Sequence, residues 1–290
     1  MSNRTVEAVI SPREPHYVGD GFRVHNFIPS QLKLGMQRMN PFILMDYNSK
    51  FYFGASERPR GVGVHPHRGF ETVTVAYKGK VQHHDSKGGG GIIGEGDVQW
   101  MTAAGGILHK EYHEKEWSRK GGEFQMVQLW VNLPAKNKMD PAKYQPLAND
   151  KLKRFSSEGA ELEIIAGEYQ GKKGPASTFS PIHLYNLKLK QNVKFSFSFP
   201  ENYNTALLVV EGAIIVNKQE KVPTDFFALM ANDGESFSVE AVENSKVLIL
   251  SGEPIDEPIA AHGPFVMNTR EELYQAFDDF NNGKFGFLED

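Results

Sequence analysis

Four residues in two short runs carry the side chains best suited to chemistry. His65 and His67 lie in GVGVHPHRGFETVTVAYKG, and His109 and Glu111 lie in MTAAGGILHKEYH. Residues two apart on an extended strand project to the same face, so each run makes a two-pronged clamp. Set side by side, the clamps bring together three imidazoles and one carboxylate, a donor set suited to a catalytic transition metal. An isolated His-x-His is often a chance pair on a solvated strand face. Here the second pair follows a Gly-rich turn and a hydrophobic strand, at the separation one β-meander needs, and that argues for a metal site. Such a set leaves an octahedral ion two open positions, unlike a closed structural zinc site, and so admits a chelating substrate, dioxygen, or each in turn. Fe(II) is the first choice for oxygen chemistry, while Cu, Ni, Mn and Zn suit the same donors.

The surrounding stretches must hold these clamps. The β-branched run Glu71–Tyr77 predicts a central strand, Lys78-Gly79-Lys80 a turn, and Val81–Asp85 the returning strand. Ser86–Gly91 reads as a flexible hairpin turn, because it lacks the Lys-Ser/Thr and the helix of a phosphate loop. A further hairpin through Ile92-Ile93 and Gly96–Met101 leads into the second pair. His83 and His84 face opposite ways, so at most one can see the site, and both are expected to be non-ligands. His113 shares the parity of His109 and Glu111, but the charged stretch from Glu114 to Lys120 reads as loop. Glu71, four residues after His67, is a second claimant for the carboxylate. Arg68-Gly69 between them predicts a bend that spoils its parity.

Upstream, Thr5 to Asn40 predicts edge strands between turn signals, and Pro41–Tyr47 a buried strand. The aromatic cluster Phe51, Tyr52 and Phe53 suits plain core or the wall of a pocket for a flat organic molecule. Downstream, a strand from Gln125 ends near Leu133, and AKNKMDPAKYQPL reads as a linker. The expected domains are therefore 1–133, with the candidate ligands, and 144–290, joined by 134–143. The second half can be laid on the first. Matching Val75–Val81 with Leu208–Ile214 sets Ser198 and Pro200 opposite His65 and His67; matching Asp97 with Asp225 sets Phe237 and Val239 opposite His109 and Glu111. A second domain without metal ligands is expected, and His183 and His262 read as isolated surface or core residues. Thr269-x-x-Glu272 is a capping box, and Leu273, Phe277 and Phe280 fall on one face of a helix that Gly283 can close. That helix is expected to bridge the two domains.

The composition sets limits. The 290 residues are enough for two cores, and frequent Gly and Pro suit folds of many short strands. With no cysteine, disulfides, thiolate metal sites and thiol nucleophiles are excluded. A net charge of -4 argues against nucleic acid as the main partner, and the basic run Lys151–Arg154 reads as a solvated face. No apolar run is long enough for a membrane span or a signal peptide, so a cytoplasmic location is expected.

The segments HPHRGFETVT, HHDSKGGGGIIGEGDVQWMTAAGGILHKE, QLWVNLP and GPFVMNTREEL resemble the pirin family of the cupin superfamily. Two departures from the wider cupin pattern stand out: the spacing from the histidine pair to its preceding glycine, and Ala104 where a proline often precedes Gly106-x-x-His109. Neither removes a ligand. The resemblance implies an all-β bicupin of two antiparallel barrels and one metal, usually iron, held in the N-terminal barrel by His65, His67, His109 and Glu111 in preference to Glu71. It also implies a quercetin 2,3-dioxygenase type of activity on an aromatic small molecule and dioxygen, with Glu111 as proton acceptor. The alternative it implies is a redox-sensing regulator that binds a protein partner.

Overall fold

The structure is a computed structural model and describes residues 3–290. It contains two compact units. The histidine unit comprises Glu14–Gln37, Pro41–Asn149 and Ile255–Asp290; the companion unit comprises the chain up to Arg13, Arg38–Asn40 and Asp150–Pro254. Each is built on a seven-stranded and a four-stranded antiparallel sheet. The expected all-β pair of cupin domains is present, with one difference: the strands hydrogen-bond as open sheets and do not close into barrels. No helix among the described residues is long and apolar enough to cross a membrane.

In the histidine unit the strand Phe70–Lys78 lies inside the seven-stranded sheet, flanked by Val98–Thr102 and Gly122–Asn132, and is buried on both faces. The four-stranded sheet runs in the order Gly61–His67, Ile107–His113, Val81–Asp85, Gly90–Ile93. The two clamps do lie on neighbouring strands, but not through the expected meander: Phe70–Lys78 and Val98–Thr102, which come between them in the chain, belong to the seven-stranded sheet. In the companion unit the seven-stranded sheet contributes Leu187, Val209 and Ile249 to one continuous core, and the four-stranded sheet contributes Phe195, Phe197, Phe237 and Val239. Alternation along Lys194–Ser198, exposed and buried in turn, is the period-two signature of a sheet wet on one face.

The expected boundaries do not follow these units. Val6–Ile10 is an edge strand, but it pairs with Phe227–Met230 of the companion unit, and buried Arg4 anchors it by donating to the carbonyls of Gly234, Tyr203 and Pro200. The expected linker belongs to the histidine unit. Lys143–Leu147 adds a strand beside Val98–Thr102, and the buried Lys138 ammonium donates to Gly69 O, Asn132 Oδ1 and Val266 O, with burial lowering it to about 8.

The C-terminal helix Arg270–Asn281 forms with its capping box intact, Thr269 Oγ1 accepting from Glu272 N and Glu272 Oε2 from Thr269 N. Leu273 and Ala276 pack with Phe265 and Phe285 inside the histidine unit. A second helix, Lys115–Lys120, replaces the expected loop; Glu114 caps it by accepting from Glu116 N and Trp117 N, and Gly121 follows at φ 68°. At six residues it is too short to show a helical period.

Candidate metal centre

Gly69, at φ +90°, turns the chain out of the four-stranded sheet and into the seven-stranded one, so His65 and His67 belong to one sheet and Glu71 to the other. A side chain at Gly69 would collide with the Val266 carbonyl, its Cβ falling 1.9 Å from the oxygen. His65 lies directly opposite His109 in the ladder, and Glu111 lies opposite Val62 across a bulge. The three imidazoles converge: ring centroids are 4.2 Å apart for His65 and His109, 4.8 Å for His67 and His109, and 4.9 Å for His65 and His67. Each offers a nitrogen within 4.8 Å of the other two.

Their protonation suits a cation. Burial, and next the neighbouring His65, hold His67 and His109 well below the usual imidazole value, so both rings are neutral near pH 7. His65 Nδ1 lies 2.8 Å from the Gly63 carbonyl, and the His67 ring donates to Pro264, which as a proline offers only its carbonyl. His67 Nδ1 and His109 Nε2 are buried with no hydrogen-bond partner. Orphaned lone pairs converging from neutral imidazoles are what a resident metal needs, and the donor set fits one.

Glu111 stands beside this triad, 3 % exposed. Gln99 Nε2 donates to its Oε1 at 2.5 Å and Gln128 Nε2 to its Oε2 at 2.8 Å, while Tyr144 Oη donates to Gln99 Oε1 at 3.2 Å. The carboxylate is thus held at both oxygens. Glu71 is elsewhere: Thr102 Oγ1 donates to its Oε1 at 2.7 Å, and burial raises it to about 7. It shares no cluster of potential ligands with the histidines among the described residues.

His83 was not expected here. It is fully buried, its Nδ1 3.4 Å from His109 Nδ1 and 3.9 Å from Glu111 Oε1, and it forms a second potential ligand cluster with those two residues. His84 is exposed on the other face, in keeping with strand parity. The signal for His83 was present in the sequence, since Asp85 follows it at the same two-residue spacing that marks the other pairs. His113 is the last residue of the strand Ile107–His113 and is buried like His109 and Glu111. It is caged by Phe53, Trp117 and Phe124 at 4.6–4.9 Å, with Nε2 2.8 Å from Gly21 O. Phe53 likewise packs as core with Phe22 and Phe124, and Tyr52 is exposed, so the aromatic cluster does not wall a pocket.

A cavity of about 40 Å³ opens beside His65 and Glu111, lined further by Val18, Phe22, Asp46, Asn48 and Gln128. The segment 264–290 braces the ligand strands from outside. Arg68 donates to Gly105 O and pairs with Asp279 at 2.9 Å, Ser86 Oγ donates to Phe285 O, and Lys110 Nζ donates to Glu289 O.

Two cupin-type β domains, one of them holding a buried cluster of three histidines and a glutamate, define the class of protein. Residues 21–131 match the Pirin family and residues 184–286 the Pirin C-terminal cupin domain. A Pseudomonas aeruginosa protein named "putative quercetin 2,3-dioxygenase" is 47% identical over 93% of this chain and 94% of its own length. The crystal structure of a quercetin 2,3-dioxygenase from Acinetobacter baumannii superposes with a TM-score of 0.93 at 45% identity, covering 99% of this chain and 100% of that one. The bacterial pirin YhhW of Escherichia coli, solved with nickel(II), shares the fold at TM-score 0.65 and 20% identity, covering 86% and 99% of the two chains. The chain belongs to the pirin family.

Proposed function

We propose that His65, His67, His109 and Glu111 bind a divalent metal, Fe(II) first, and that the histidine unit is an oxygenase opening the ring of a flavonol-like chelating substrate. The observation that carries this reading is the converging triad of imidazoles, two of them buried and neutral with orphaned nitrogens, beside a carboxylate and a cavity. Bound there, the ion would supply Lewis acidity and a template for substrate and dioxygen. The names of the Pseudomonas and Acinetobacter relatives support the substrate class, and the nickel(II) of YhhW shows that a protein of this fold takes a metal.

The chain's own residues do the rest. Glu111 accepts the proton of the substrate hydroxyl, and the Gln99 and Gln128 amides keep its carboxylate aimed into the cavity. Val18, Phe22, Val24 and Met126 give an apolar wall for an aromatic ring. At about 40 Å³ the cavity is far below the roughly 300 Å³ of a pocket for a drug-sized ligand. Admission of a flavonol therefore requires the His16–Val18 strand to move outward. That strand is exposed along its length and sits at the sheet edge, paired on one side only.

The test is oxygen uptake by iron-loaded protein given quercetin. Consumption in step with flavonol loss is expected. No uptake with any flavonol or enediol, together with a protein partner captured in one oxidation state only, would replace the oxygenase with the regulatory alternative.

A further inference from the structure

We infer that Asp85 and His83 form a hydrogen-bonded relay that sets the tautomer of His109, turning its Nε2 lone pair toward the metal. Both are then positioning residues. The inference rests on the proposed role of His109 as a ligand, but the relay itself is a property of the metal-free chain.

Asp85 Oδ1 accepts from Lys87 N at 2.8 Å and Gly89 N at 2.9 Å, which pins the carboxylate in the turn after its strand. Its Oδ2 faces His83 Nε2 at 3.5 Å. An ionised carboxylate only accepts, so His83 Nε2 carries the hydrogen and its Nδ1 keeps the lone pair. His109 Nδ1 lies 3.4 Å from that Nδ1, and two lone pairs facing each other would repel, so His109 Nδ1 carries a hydrogen. That leaves His109 Nε2 bare, and Nε2 is the buried atom without a partner. The opposite tautomer of His83 would set a lone pair against the Asp85 carboxylate at 3.5 Å, nearer than Glu111 Oε1, which faces the Nδ1 lone pair at 3.9 Å and is already held by Gln99. Both contacts lie at the long end of hydrogen-bond distance. Two further features hold the geometry: the ladder sets Asp85 opposite His109 and His83 opposite Glu111, and Tyr144 stacks on His83 at 5.0 Å with 15° between the planes. Partners of this kind typically change metal affinity by about 10- to 100-fold.

Nitrogen-15 spectra of histidine-labelled, metal-free protein report the tautomer directly, and competition for Zn(II) against a chromophoric chelator reports affinity. Wild type is expected to show His109 protonated at Nδ1. His83→Leu removes the acceptor and is expected to mix the tautomers and weaken Zn(II) binding about 10- to 100-fold. His83→Asn puts an amide oxygen near the place of Nδ1 and is expected to restore both within a few-fold. Asp85→Asn is sharper. Its oxygen can still accept from Lys87 and Gly89, but its amide donates to His83 Nε2, which forces a hydrogen onto His83 Nδ1 and inverts His109. Circular dichroism checks that each variant folds. His109 protonated at Nε2 in wild type, or unmoved in both His83→Leu and Asp85→Asn, overturns the relay. A wild-type protein with the expected tautomer that takes up no metal supports the relay and counts against the proposed function instead.

Discussion

Each unit gathers three aromatic rings on two paired strands of its four-stranded sheet, but rings of different chemistry. In the histidine unit His65 faces His109 across the ladder, with His67 two residues on; in the companion unit Phe197 faces Phe237, with Phe199 two residues on. The phenylalanine centroids lie 5.4, 5.9 and 6.1 Å apart, slightly wider than the imidazoles. Around the phenylalanines runs one continuous apolar core. The same sheets can thus be filled for stability or opened for chemistry. The companion shows what the histidine unit gives up: three buried aromatics, each a large hydrophobic contribution, against three imidazoles that must be desolvated.

The comparison can be broken most severely by making the histidine unit like its companion. His65→Phe, His67→Phe and His109→Phe together should abolish stoichiometric metal, a loss of more than about a thousandfold in affinity, while circular dichroism shows the sheets intact. Elemental analysis of the purified variant reads the first outcome. The converse exchange, Phe197→His, Phe199→His and Phe237→His, should cost on the order of 3 kcal/mol or more in urea unfolding, because it removes aromatic packing and buries imidazoles. It should gain no metal, since Val239 stands where Glu111 does.

Glu71 sharpens the contrast between buried carboxylates that serve and those that cost. Folding raises it from 4.5 to about 7, so between those values the folded chain keeps a proton the unfolded chain has released. Stability therefore falls as pH rises through that window, by about 3 kcal/mol. Glu71→Gln should remove this slope. His113, lowered by burial to about 4, contributes the opposite slope below pH 6.5, so the difference between wild type and variant is the quantity to measure. Glu111→Gln should weaken metal binding about 10- to 100-fold, while Glu71→Gln leaves it unchanged. Metal loss in Glu71→Gln alone would reverse the carboxylate assignment. The smallest effect belongs to the helix cap: Thr269→Ala should cost about 1 kcal/mol, seen in thermal unfolding.

Residue spacing made the clamps legible, because period two is strict on a strand and His-Pro-His and His-Lys-Glu obey it. The same rule explains two misses. The ladder pairs Phe197 with Phe237 and Ser198 with Ser236, so the two matches of the second half on the first are one residue out of step, a slip that turns every side chain to the other face. His83 was passed over because a histidine without a second histidine two residues away was not read as part of a site, although Asp85 stood there. The individual strands, the capped C-terminal helix and the edge strands are written in local pattern; the passage of the chain back and forth between two sheets, in place of a meander, is not. Nor is the exchange of chain ends, because a pairing such as Val6 with Met230 leaves no trace in either stretch alone.

That exchange orders events during synthesis. Arg68 and its partner Asp279 are 211 residues apart, and the carbonyls of Pro264 and Phe285 that hold His67 and Ser86 emerge from the ribosome equally late. The ligand-bearing strands are made early but stay unbraced until the whole companion unit has followed them. The candidate site is therefore complete only when residues 264–285 are present, and a chain stalled before residue 264 would carry all four candidate ligands without the brace that holds them in place.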